Sequence, residues 1–176
     1  MKTNLVIILL IASGIFTACS SSNNKTAASA SDSTSAAQEI KFKSDTIANV
    51  YNQYILLKDA LVKSDSVSAA SAGTDLAAVL KNIKGCENTS FAAAEIGKTA
   101  DLTQQRSKFI SLSSDIVAMF KNTDLESGSV FVEFCPMANE GKGAYWLAST
   151  KEIRNPYYGN EMLDCGEVKQ EIKQTN

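Results

Sequence analysis

Four sulfur-bearing residues near the C-terminus have the types and spacing to do chemistry. Cys135-Pro136-Met137 gives C-x-M, and Met162-Leu163-Asp164-Cys165 gives M-x-x-C. Two thiols and two thioethers form a soft donor set, which selects Cu(I) over hard cations. In a regular strand Cys135 and Met137 face the same side, although Pro136 disturbs that geometry. The expected metal ligands are therefore Cys135, Met137, Met162 and Cys165. Two plainer readings stand beside this one. Paired cysteines in an oxidising compartment form a disulfide, and methionines commonly fill cores. The chain contains no histidine, which removes imidazole as a catalytic base and every zinc site that uses His ligands.

Other residues carry weaker signals. Trp146, Tyr157 and Tyr158 could line a pocket, or fill the core of a small β unit. Arg154 with Glu152 or Asp164 reads as a surface ion pair. Ser107, Ser111, Ser113 and Ser114 read as the polar face of a helix. Cys86 follows Gly85 in a polar loop and reads as an unpaired thiol. There is no G-x-S-x-G, no P-loop and no dinucleotide fingerprint. An enzyme is not expected, and no cofactor beyond a possible Cu(I) is implied.

The elements that must position these residues follow from periodicity. From Ser44-Asp45 onward, Ile47, Val50, Tyr51, Tyr54, Leu57 and Leu61 recur at spacings of three and four, an amphipathic helix. Ser64-Asp65 can cap a second helix, with Val67, Ala70, Leu76, Leu80 and Ile83 as its stripe and Gly85 closing it. Gly73 inside that helix implies close packing against a neighbour. Phe91 to Ile96 predicts a short third helix. Asp101-Leu102-Thr103-Gln104 is a capping-box-like start for a fourth, whose apolar face is Phe109, Leu112, Ile116, Met119 and Phe120. The period then changes to two. Residues 130–135 read as a strand, 144–148 as a second, and 162–168 as a last one, with Asn155-Pro156-Tyr157-Tyr158-Gly159 as turn chemistry. The expected fold is α+β: a small antiparallel helical bundle over residues 44–122, then a small β unit over 128–170.

The N-terminus reads as an export signal. Lys2 precedes an apolar run from Leu5 to Phe16, and Thr17-Ala18-Cys19 follows. About a dozen apolar residues are too few to span a bilayer, which takes roughly 20, but they suit a secretory signal. The end of the run resembles the lipobox of bacterial lipoproteins, so residues 1–18 are expected to be cleaved and Cys19 to carry diacylglycerol and an N-acyl chain such as palmitate. Residues 19–43 are expected to be a Ser/Ala-rich disordered tether. Ser20 is not the aspartate of inner-membrane retention, so an outer-membrane site facing the periplasm is expected, with the lipid bilayer as first partner. With Cys19 lipidated, three of the four cysteines remain, enough for one disulfide. A formal net charge of −2 without a basic patch gives no sign of nucleic-acid binding.

One stretch is more specific. The segments CPMANEGKGAYWL and IRNPYYGNEMLDCGEV, with YILLKDALVKSD and QQRSKFISLS upstream, resemble a bacterial domain-of-unknown-function family, number 3347. That family occurs alone in lipoproteins and secreted proteins of Bacteroidetes-type bacteria. It is also found attached to periplasmic adaptor subunits of copper and silver efflux systems. The resemblance implies the domain rather than an activity; taken with the soft sulfur donors, the expected function is a membrane-anchored periplasmic module that binds a soft metal ion, Cu(I), with a metal ion and efflux components as partners. The alternative is a non-catalytic structural or interaction lipoprotein with a Cys135–Cys165 disulfide.

Overall fold

The computed structural model of the chain describes residues 39–174. Four helices come first: α1 (Asp45–Val62), α2 (Ser66–Leu80), α3 (Glu87–Gly97) and α4 (Leu102–Phe120). Three of them begin where the sequence places a cap. Ser44 accepts a bond from the Ile47 N–H, Asp65 from Ser68, and Asp101 from Thr103 and Gln104, which satisfies otherwise orphaned backbone donors. The box at α4 is one-sided: Gln104 donates to the Asp101 carboxylate, while the Asp101 N–H goes to Thr99 Oγ1. The third helix starts at Glu87, ahead of the expected Phe91. Its N-cap, Cys86, makes no side-chain cap bond, so nothing in the residue types marks that boundary.

Each helix packs on the next along the chain. On α1 the buried stripe is Val50, Tyr51, Tyr54, Leu57 and Leu61, at the expected spacing. On α2, Leu76 and Leu80 are buried but Val67 points to solvent, 74% exposed; the stripe instead uses the small Ala69, Ala72 and Gly73. A Cβ on Gly73 would lie 3.0 Å from the Ala93 carbonyl oxygen and 3.1 Å from Ile96 Cγ2. The close α2–α3 approach inferred from that glycine is therefore present.

Five strands complete the α+β fold. β1 (Lys41–Phe42) pairs with β2 (Leu125–Ser127), while β3 (Ser129–Cys135), β4 (Ala144–Ala148) and β5 (Glu167–Lys173) form an antiparallel sheet of order β4-β3-β5. The central strand β3 is buried on both faces from Val130 to Glu133, so its alternation does not separate core from solvent. The last strand lies later than expected. Residues 162–166 form a loop, and β5 is an edge strand of alternating charge with only Ile172 buried. Charged edges resist pairing with other chains, and they erase the apolar period by which a strand is read.

The domain also begins earlier than expected. Phe42 is buried, its ring 5.1 Å from Tyr51 and 5.6 Å from Phe120. Ser127 Oγ donates to the Glu39 carbonyl, and Ile40 packs on the core. Residues 39–43 therefore belong to the domain rather than to a tether ending at 43. The signal, Cys19 and the rest of the tether lie outside the described residues. Among those described, no helix is long and apolar enough to cross a membrane.

Candidate functional site

Cys135 ends β3, and Cys165 sits in the loop that leads into β5. The fold brings their sulfurs to 2.7 Å. Cys135 is fully buried and Cys165 half-buried. Local hydrogen bonds place Cys165: its N–H donates to the Met162 carbonyl, and its own carbonyl accepts from Asn155 Nδ2 at 2.7 Å. Asn155 is fully buried, and its Oδ1 accepts from the Tyr157 N–H at 2.8 Å. This asparagine is the pin of the loop. In the reduced pair the hydrogen bond to Cys135, and then burial, push the Cys165 thiol up to about 11, against the backbone of Met137. Such a thiol is a weak nucleophile near neutral pH.

The four-sulfur set is only partly assembled. β3 stops at Cys135, because Pro136 has no N–H to continue the ladder. Met137 falls in the following turn, 54% exposed, with its carbonyl accepting from Tyr158 Oη at 2.7 Å. The expectation that Cys135 and Met137 share one face is thus corrected. Met162 is half-buried and supplies its carbonyl to the turn that carries Cys165. Two thiolates on one d¹⁰ ion, with bonds of roughly 2.3 Å, sit about 3.8 Å apart at a tetrahedral angle. Sulfurs 2.7 Å apart leave no room for an ion between them. Among the described residues no three Cys, Asp or Glu side chains cluster as metal ligands.

The aromatic residues are also placed otherwise than as a pocket lining. Trp146 is fully buried, Tyr157 nearly so, and their rings meet edge-on at 5.9 Å. Tyr158 is half-buried and spends its hydroxyl on Met137. Trp146 and Tyr157 are core residues. Arg154 pairs with Glu152 at 3.5 Å on the surface, as expected. Cys86 is unpaired among the described residues, as expected, but it is buried at the N-terminus of α3 rather than placed in an open loop, and burial raises its thiol.

Sequence reasoning missed a buried polar hub. Tyr54 Oη and Ser113 Oγ are 2.6 Å apart; Ser113 Oγ also donates to the Tyr145 carbonyl at 2.8 Å, and the Leu147 N–H donates to Tyr54 Oη at 3.1 Å. Tyr157 Oη reaches the same Tyr145 carbonyl at 2.5 Å. Three side-chain and two backbone groups thus tie α1, α4, β4 and the loop together. The serines around Ser113 predict a polar helix face, and the one sequence signal against this at Ser113 is its place directly after Leu112 of the apolar stripe. Arg106 is a second missed tie, donating to the Leu61 and Pro156 carbonyls, each at 3.1 Å, and to Ser64 Oγ at 2.9 Å.

Beside the hub lies a buried charge. Glu133 on β3 is fully buried, and among the described residues neither carboxylate oxygen has a hydrogen-bond partner. Trp146 lies directly across the ladder on β4, its indole N–H alongside the carboxylate without closing a hydrogen bond. Lys58 of α1 is 5% exposed and holds Asp59 Oδ1 at 2.6 Å. Asp59 in turn lines a groove of about 330 Å³ with Val62, Lys63, Arg154, Asn160 and Leu163.

Compared with known proteins, residues 50–128 match a family described as "Protein of unknown function (DUF3347)". The match runs from within α1 to the end of β2, and the cysteine pair lies beyond it. No curated protein and no solved structure matches the chain.

Proposed function

We propose that this chain, a member of the DUF3347 family, is an envelope lipoprotein whose folded domain is a non-catalytic binding module, closed at its C-terminal end by a Cys135–Cys165 disulfide. The observation that carries the reading is the pair of sulfurs 2.7 Å apart, one fully buried. Two cysteines 30 positions apart that meet in an exported protein are expected to oxidise. The N-terminal signal ending at Cys19 supports export and anchoring, and two or three acyl chains hold a protein stably where one is marginal. The outer membrane, facing the periplasm, is the proposed location.

The test is mass spectrometry of the protein extracted from cells without reductant. Peptides carrying Cys135 and Cys165 should be linked, Cys86 should alkylate after unfolding, and Cys19 should carry acyl chains. Cys19→Ala should move the protein to the soluble fraction. Free alkylation of both Cys135 and Cys165 would remove the disulfide.

A second reading keeps Cu(I) as ligand of the reduced domain. It is favoured by the convergence of two thiols from separate segments, one of them half-exposed, and by the expected occurrence of such domains attached to efflux-adaptor subunits. The sulfurs would have to part by about 1 Å to admit the ion. Reduced protein should then bind one Cu(I), lose it in Cys135→Ser or Cys165→Ser, and keep it in Cys86→Ser. Equal uptake by the wild type and the Cys135→Ser/Cys165→Ser double variant would end this reading.

A further inference from the structure

Glu133 is the strongest unexplained feature outside the cysteine pair. A carboxylate with no exposure and two unpartnered oxygens is costly in the middle of a sheet unless it holds a proton or a close counter-charge. Among the described residues the one cation aimed at it, Lys58, is already bound to Asp59. We propose that Glu133 and Lys58 form a proton switch that sets how tightly α1 is clamped to the three-stranded sheet. With the proton on Glu133, Lys58 belongs to Asp59 and the seam is closed. When Glu133 releases the proton to solvent, an anion is left in the seam, the Lys58 ammonium is drawn between two carboxylates, and the hub at Tyr54 loosens.

The neighbours leave Glu133 as the group that titrates. From α1 it faces Tyr51, Tyr54 and Lys58, with Asp59 behind the ammonium; along its own strand the next ionisable group is Cys135. Across the ladders stand Trp146 on β4 and Val168 on β5, neither of them titratable, and Tyr157 lies edge-on to Trp146. Burial holds all three tyrosines protonated well above their usual range. Burial likewise pushes the Glu133 carboxyl up to about 7, with Lys58 and the Trp146 N–H opposing. An unfolded glutamate titrates near 4.3. Between these two values the folded domain binds more protons than the unfolded chain, so stability falls as pH rises through that window and levels off above it.

The seam can be read directly. Amide exchange at Leu147, whose N–H is bonded to Tyr54 Oη, reports opening between α1 and the sheet. In the full chain its protection factor should drop by about tenfold or more between roughly pH 5 and pH 8, and Glu133→Gln should abolish that dependence. Lys58→Met should move the midpoint upward, because the ammonium favours the carboxylate. Parallel protection profiles in wild type and Glu133→Gln would overturn the switch. Should Glu133→Gln fail to fold, the infrared C=O band of a protonated carboxyl carries the test in the wild type. The band must persist above about pH 5 and vanish through about pH 7; its absence there would overturn the proposal equally.

Discussion

The helical bundle and the C-terminal strands are held together by different chemistry. In the bundle the work is spread over many similar contacts: Leu57, Leu61, Leu76, Leu80, Ile96, Leu112 and Ile116 are all fully buried, and α1, α2 and α4 start at side-chain caps from the adjoining loops. In the strand region a few polar groups with no substitute organise the chain. Asn155 pins the loop, Ser113 and Tyr54 join the loop and sheet to α1 and α4, and Glu133 sits unpartnered between them. Apolar packing tolerates volume-conserving exchange, whereas a buried hydrogen-bonded group cannot be removed without stranding its partner. The bundle is thus robust and the strand region specific, and regulation or binding is better sought in the second.

The residue that joins the two regions should show the largest effect. Phe109 of α4 stacks on Tyr54 at 5.5 Å and meets Tyr157 at 5.7 Å. Phe109→Ala is expected to cost about 3–5 kcal/mol in urea denaturation. Helix signal and the fluorescence of Trp146, the single tryptophan, should fall together if bundle and strands form one cooperative unit. A Trp146 transition well ahead of the helical one would break the comparison, by showing that the strands unfold alone.

The N-terminal strand sharpens it next. A chain starting at residue 44 lacks Ile40 and Phe42, and burying a phenylalanine contributes about 2–3 kcal/mol. That truncation should lower stability by roughly this amount, while a chain starting at residue 39 should match the full chain. No difference between the two would mean that β1 is only an ornament on the bundle.

What could be read from the sequence follows the same division. Three helix starts, the stripe of α1, the meaning of Gly73, and β3 and β4 were legible because caps and apolar periods are local signals. The convergence of Cys135 and Cys165 was legible too, from residue type and expected compartment. The short strand at Phe42 was hidden by the polar composition around it. β5 was misplaced because an edge strand protected by Glu167, Lys169, Glu171 and Lys173 has no apolar period. The placing of Met137 was lost at Pro136, where strand geometry ends. Asn155 is marked only as part of a turn and Ser113 only by its place beside Leu112; the ties they make exist only once four segments have met.

The smallest expected effect separates the two regions by the sign of their response to acid. Asp101 caps α4 through bonds to the Thr103 and Gln104 N–H groups at 2.9 and 3.1 Å. The Gln104 bonds, ahead of the Thr103 one, hold its carboxyl below the usual range. Its contribution is therefore present at neutral pH and lost as pH falls through that lowered value. Glu133 responds in the opposite sense, gaining as pH falls from about 7. Asp101→Ala should lower Tm by about 3 °C near neutral pH. Asp101→Asn, which can still accept the capping bonds, should retain most of that while removing the acid-side loss. A double variant with Glu133→Gln should show the two pH responses adding, since the sites share no partner. If removing one alters the pH response of the other, bundle and strands are coupled more tightly than their contacts imply, and the division drawn between them fails.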